Sequence, residues 1–314
     1  MPSIGSSSGS DGARPSAFAV LTTEAANPAT AEIDRMSALE IVRAMNAEDA
    51  LVAAAVAREL PRIAAAVDAI VERLRRGGRL IYAGAGTSGR LAAVDAAECP
   101  PTFGVEPEMV VACVPGGRDA LVRAHEDLED SAEAGVADLA RLEVRAEDAV
   151  VGVTASGRTP YVLGALAHAR SRGALTIGLA CNSGVPLAGL VEMLIAPVVG
   201  PEVIAGSTRL KAGTAQKMAL NMLSTATMVR LGKTYGNLMV DVQATNAKLH
   251  ARALAIVRAA TDTDEATAAA LLDTAGGETK TAIVIARLGL APGRARALLA
   301  AHGGRLRDAL DAGV

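Results

Sequence analysis

The stretch "IYAGAGTSGRLAAVDAAECPPTFG", residues 81–104, sets a short apolar run against a glycine-rich turn, then a helical segment, a glutamate and two prolines. An apolar run that ends in glycines and opens a helix reads as a buried strand, a turn and a helix of a parallel sheet. The turn, Gly84 to Gly89, presents the first N–H groups of a helix together with their partial positive charge, which suits a phosphate. Its glycines let backbone approach closely, and Thr87 and Ser88 add hydroxyl donors. The Gly-Lys-Ser/Thr end of a nucleotide-triphosphate loop is missing. Gly84, Gly86 and Gly89 satisfy G-x-G-x-x-G formally, but the following segment brings no clear ribose-binding acid at the end of a second strand. The plain alternative is a tight strand–helix turn with no ligand.

A second turn repeats the chemistry. "TASGRT", residues 154–159, follows another apolar run and precedes a helix starting near Pro160. Thr154, Ser156 and Thr159 can all donate to phosphate. Two hydroxyl-rich turns on one sheet favour a single shared anion site, and neither carries a lysine placed for a nucleotide triphosphate. A sugar phosphate is the simpler guest.

Outward from these turns the same pattern recurs. Apolar runs at 79–86, 108–116, 149–157, 174–182 and 192–200 alternate with helical stretches around 88–97, 117–142 and 160–172. This predicts an α/β fold: a five-stranded parallel sheet flanked by helices, doubly wound and flavodoxin-like, with its ligand at the carboxyl ends of the strands. Upstream, Ser37 and Glu40 form a capping box for a first helix. A second helical stretch spans about 48–76, with Pro61 as a bend. After the fifth run the chain turns helical at 207–232 and again over about 241–259. Residues 1–20 read as a disordered Ser/Gly/Pro-rich leader, 21–260 as the catalytic domain, and 261–314 as a small C-terminal three-helix, UBA-like bundle, broken at 276–277, 289–293 and 303–304.

Composition removes other classes. The 314 residues are 51% hydrophobic and 21% charged with net charge −3, so neither a nucleic-acid face nor an anionic membrane is indicated. No apolar run is long enough to span a bilayer. Cys99, Cys113 and Cys181 are few and far apart, which fits a reducing cytoplasm and small apolar fillers. The four histidines form no paired-ligand pattern, so no metal is expected.

With "GAGTSGRLAAVDAAECPPTFG", "GVTASGRTPYVLGAL" and "GPEVIAGSTRLKAGTAQKMALNMLSTATMVRLGKTYGNLMVDVQATNAKL" in view, the sequence resembles the sugar isomerase (SIS) fold and, within it, the N-acetylmuramic acid 6-phosphate etherases. "LTTEAANPAT" and "NAEDALVA" match as well, and the likeness covers about residues 20–290. The resemblance implies a cytoplasmic, cofactor-free homodimer that acts on a small-molecule sugar phosphate. The implied reaction is a lyase reaction: the D-lactyl ether at C3 is eliminated and water is then added, giving N-acetylglucosamine 6-phosphate and D-lactate. Such chemistry needs two carboxyl groups. The likeness assigns the proton donor to Glu98. Its helix is expected to end at Pro100-Pro101, which places Glu98 near the negative end of the dipole, where a carboxyl keeps its proton more readily. The likeness assigns the second carboxyl to Glu129 in "AHEDLEDS", with Glu126 as rival. Ser207, Thr208, Arg209 and Lys211, at the loop-to-helix start of "GSTRLKAGTAQK", are candidates for sugar hydroxyls or the lactyl carboxylate, or else an ordinary capped helix. Two other functions remain open at this point: a non-catalytic sugar-phosphate-binding regulator of the same fold, and an aldose–ketose isomerase.

Overall fold

The computed structural model describes residues 21–123, 126–242 and 247–313. Its centre is a parallel sheet of β1 (Leu80–Gly84), β2 (Val110–Cys113), β3 (Ala149–Val153), β4 (Leu175–Leu179) and β5 (Met193–Ile195) in the order β2-β1-β3-β4-β5. Every residue of β1, β3 and β4 is buried, as expected for strands covered on both faces. The predicted doubly wound sheet is therefore the observed one, with the reversal of strand order between β1 and β3, the place at which sheets of this kind take their ligands.

Alternate residues of β1 feed two cores. Leu80 and Tyr82 face a cluster built with α1 (Ala38–Ala57), α2 (Leu60–Arg75), α3 (Gly86–Phe103) and, further along the chain, a helix at Lys211–Arg230. Ile81 and Ala83 face the other side. There, after the short α4 (Glu126–Glu129), lie α5 (Ala132–Arg141) and α6 (Pro160–Ser171). These last two pack backbone to backbone: a Cβ added at Gly135 would sit 2.0 Å from the Tyr161 carbonyl oxygen. The helix at Lys211–Arg230 is α7, and it contacts α1, α2 and α3.

Several boundaries differ from expectation. Helix α3 runs through Pro100 and Pro101 to Phe103 and ends at Gly104, which is left-handed at φ 59°. Proline keeps a helical φ, and although it removes its own donor and crowds the carbonyl four residues back, near a helix end it need not stop the chain. The stretch expected as one bent helix divides at Arg58–Glu59 into α1 and α2, with Pro61 in the first turn of α2. The capping box of Ser37 and Glu40 is present. The expected helix over 117–142 is instead a single 3₁₀ turn at Asp119–Leu121 followed by α4 and α5.

The C-terminal part comprises α8 (Ala247–Thr261), α9 (Glu265–Thr274), α10 (Thr279–Leu288), α11 (Pro292–Ala301) and α12 (Leu306–Ala312). Four helices, rather than three, follow residue 261, because three glycine-containing breaks separate four segments. They share one core with Val240, Val242 and α8, so this core begins before residue 261. Lys280 clamps it to the sheet domain: its ammonium donates to Asp241 Oδ2 at 2.6 Å, to the Gly304 carbonyl at 2.6 Å and to the Gly232 carbonyl at 3.0 Å. The leader, residues 1–20, lies outside the described residues.

One buried carboxylate ties the amino ends of β1 and β3. Asp148 accepts from the Arg79 backbone N–H at 2.9 Å, from Arg79 Nη2 at 2.7 Å and from the Arg145 N–H at 3.1 Å. Burial pushes its carboxyl up, but these donors outweigh burial and hold it below the ordinary 3.8. Asp148→Ala strands buried donors and is expected to cost about 3–5 kcal/mol in urea unfolding. Because the folded-state value is depressed, the stabilisation is whole above the ordinary carboxylate range and is lost as pH falls through the folded value. The stability difference between wild type and variant should therefore shrink on acidification below about pH 4. A difference that stays constant down to pH 2 would remove Asp148 from this role.

Candidate active site

The first turn is built as its glycines require. Gly86 adopts φ +54°, a left-handed conformation costly for other residues. At Gly89 an added Cβ would lie 2.3 Å from the Gly84 carbonyl oxygen, so α3 rises directly off the end of β1. The N-cap residue Ala85 supplies no side-chain cap. The N-terminal N–H groups of an eighteen-residue helix thus meet the carboxyl end of the sheet.

The second turn is a hydroxyl network. Thr154 Oγ1 lies 2.8 Å from Thr159 Oγ1 and 3.3 Å from Ser156 Oγ, and it accepts from the Gly157 N–H at 3.3 Å. Ser156 Oγ accepts from the Arg158 N–H at 3.2 Å. Thr154 is buried and organises the turn, whereas Ser156 and Thr159 are half-buried.

Glu129, at the end of α4, joins the two turns. Thr159 Oγ1 donates to its Oε1 at 3.5 Å, and its Oε2 lies 3.6 Å from where a Cβ on Gly86 would be. A carboxylate there faces the positive end of α3. The side chain of the rival Glu126 lies outside the described residues.

Other predicted residues fall differently. Thr87 is half-buried in the first turn, its methyl 3.6 Å from where a Cβ on Gly213 of α7 would be. Ser88 is buried, and its hydroxyl donates to Gln216 Oε1 of α7 at 2.9 Å. The loop before α7 carries Ser207 and Thr208, both half-buried, and Arg209, which is exposed. The Thr208 carbonyl accepts from the Gly213 N–H at 2.9 Å, which sets this loop against the start of α7 near Thr87. Lys211 is placed differently. It is 1% exposed, and its ammonium is bonded to Glu48 Oε2 of α1. Its surroundings make it a strut between α1 and α7.

Glu98 is exposed and lies twelve residues beyond Gly86 on the same helix. At 1.5 Å per residue this is about 18 Å along the axis. Within one chain, Glu98 does not meet Glu129.

The sequence reading passed over three polar residues that brace the surroundings of the turns. Glu202 caps α7, accepting from the Lys211 and Ala212 N–H groups at 2.9 Å each, and burial pushes its carboxyl up. Asn182, after β4, accepts from the Thr22 N–H at 2.8 Å and donates to Thr23 Oγ1 and the Ala155 carbonyl at 3.0 Å each. It pins "LTT" beside the second turn, and the polar "CNSG" closing an apolar run was its only signal. Gln216 is the third, and nothing in a polar position inside an amphipathic helix marked it.

Two family models match the chain. Residues 62–170 match the glucokinase regulatory protein N-terminal SIS domain, and residues 131–226 match the SIS domain. A phosphoheptose isomerase structure from Francisella tularensis aligns with TM-score 0.47 and 18% identity, over 62% of this chain and all of that one. An N-acetylmuramic acid 6-phosphate etherase of Rubrobacter xylanophilus is 61% identical over 293 residues, covering 93% of this chain and 97% of that protein. One from Streptomyces coelicolor is 56% identical over 94% of each. The chain belongs to the N-acetylmuramic acid 6-phosphate etherase family.

Proposed function

We propose that this chain cleaves the D-lactyl ether of N-acetylmuramic acid 6-phosphate as a carbon–oxygen lyase, releasing N-acetylglucosamine 6-phosphate and D-lactate. The observation that carries the reading is the seat of Glu129, a carboxylate set between an uncapped helix N-terminus and a hydroxyl-rich turn. The N-terminus of α3, with Thr87, and the turn bearing Ser156 and Thr159 receive the phosphate. Opening of the sugar ring exposes an aldehyde at C1, which acidifies the C2 proton. Glu129 takes that proton as the C2–C3 double bond forms and the C3–O bond breaks. Glu98 gives a proton to the departing lactate oxygen. Water then adds at C3 and a proton returns to C2, so the net reaction consumes one water.

Because Glu98 lies about 18 Å along α3 from Gly86, both carboxylates reach one substrate only if two chains share each site. Exposed apolar groups favour such a homodimer. Val94, one turn before Glu98, is 62% exposed. Leu39, Val42 and Leu51 of α1 are exposed as well, and a groove of about 920 Å³ between α2 and α7 is lined by Ile63, Val67, Met218 and Met222. Among the described residues no helix is long and apolar enough to cross a membrane. With all three cysteines free, a reducing cytoplasm is the fitting compartment.

Glu98→Gln and Glu129→Gln should each lower D-lactate release by roughly 10²–10⁴-fold with substrate still bound. Chains of the two variants, unfolded together and refolded one to one, should regain about a quarter of wild-type activity, since half the dimers are mixed and each carries one intact site. A mixture as inactive as its parts would sink the shared site. Loss of Glu129 should also stop exchange of the C2 proton with deuterated water, while loss of Glu98 should leave exchange detectable. Binding without any D-lactate from wild-type enzyme would point instead to a regulator.

A further inference from the structure

Four buried side-chain polar atoms lack a partner among the described residues: Arg158 Nε, Gln216 Nε2, Thr227 Oγ1 and Thr279 Oγ1. Two of them are N–H donors at the proposed anion turns, one within a turn and one on α7 beside a turn. Arg158 lies in "TASGRT", and Gln216 touches Ser88 in the first turn of α3. A buried donor without an acceptor costs about 1–3 kcal/mol, so such a group calls for an explanation.

Gln216 is 1% exposed, and its carbonyl end is occupied by the Ser88 hydroxyl at 2.9 Å. Only one of its two amide ends is thereby used. The helix carrying it faces the turn: a Cβ added at Gly213, one turn earlier, would lie 3.6 Å from the Thr87 methyl. The base of α7 is fixed independently by Glu202 at its first N–H groups and by the Lys211–Glu48 pair. The amide of Gln216 is therefore held by its bond to Ser88 on a helix whose base is fixed, with a donor left over beside the first turn of α3.

We propose that Gln216 is a substrate-binding residue, its amide N–H donating to a phosphate oxygen of the bound sugar phosphate, and that Ser88 is the positioning residue that holds the amide in register. The Ser88 proton is committed to Gln216, so the first turn recognises the anion through backbone N–H groups, Thr87 and this amide. The proposal rests on the assignment of the phosphate to the two turns.

The test is titration of wild type, Gln216→Met and Gln216→Glu with N-acetylglucosamine 6-phosphate in a calorimeter, alongside thermal melts. Loss of a hydrogen bond to a charged group predicts roughly 10- to 100-fold weaker binding for Gln216→Met. Gln216→Glu keeps the acceptor for Ser88 but turns an anion toward an anion. Its binding should be weaker still, and the gap from Gln216→Met should widen as pH rises from 5 to 8. Unphosphorylated N-acetylglucosamine should not discriminate among the three proteins. Both variants binding as tightly as wild type, or losing melting temperature with affinity unchanged, would overturn the proposal and leave Gln216 a structural residue. Should either variant fail to fold, the Gln216 side-chain amide resonance of labelled wild type must shift on adding the ligand; a stationary resonance has the same overturning force. Ser156→Ala separates the two levels. If it weakens binding while the Gln216 variants do not, only Gln216 is misassigned; if it too binds normally, the phosphate site itself is misplaced.

Discussion

The carboxylate of Asp95 is the hinge on which the site depends. It is buried in the middle of α3, where an unpaired charge would be costly. It accepts from Tyr82 Oη of β1 at 2.8 Å and, on α7, from Asn221 Nδ2 at 2.6 Å and Ser224 Oγ at 3.0 Å. One anion thus satisfies three donors from two other elements, and burial with the nearby Asp95 charge pushes the Tyr82 phenol well above its ordinary range. The contact fixes both the rotation of α3 about its axis and its slide along α7. With rotation and slide set, the first turn of α3 can only present Ser88 to Gln216 and Thr87 to Gly213. The geometry of the anion turn is therefore decided two to three helical turns away from it.

Elements with a strong local signal were readable in the sequence. The five strands lie within the five apolar runs, and the three central ones are buried along their whole length, which favours apolar residues on both faces. The two hydroxyl turns follow from glycine and from serine or threonine at strand ends, a requirement of backbone geometry and not of distant contacts. The region 117–142 was misread for the converse reason. Its helical composition is broken by contacts that composition does not encode, such as Arg90, whose guanidinium donates to the Ala120 and Arg123 carbonyls and holds the chain in a short turn.

Lys211 shows how a partner distant in sequence sets a residue's surroundings. A lysine at the start of a helix after a strand has the look of an anion ligand. Its role was decided by Glu48, 163 residues away in sequence, and by Glu202, which already answers the dipole of α7. A sequence displays the charge and hides the partner. Gln216 is the opposite case, an amide without charge whose meaning lies in the one bond that it makes and the one that it lacks.

The same reasoning explains why one helix carries so much of the proposed function. The start of α3 offers its N–H groups to an anion, and Glu98 projects from its far part, where Pro100 and Pro101 remove two donors without ending the helix. Carboxylates that must differ in proton affinity gain from different surroundings, and a rigid helix keeps them apart by a fixed distance. Within a chain that distance excludes cooperation. In the proposed dimer it becomes a ruler, so that each copy of α3 gives its N-terminus to one site and Glu98 to the other. Such a ruler tolerates no change of length: one inserted residue between Gly86 and Glu98 would turn the carboxylate by about 100° and advance it by about 1.5 Å. The Pro-Pro step and the left-handed Gly104 then have a shared purpose. The prolines loosen the last turn, and Gly104 ends the helix just past it, where it meets the backbone of Asp241, so that the far end of α3 is fixed by the segment leading into the C-terminal helices.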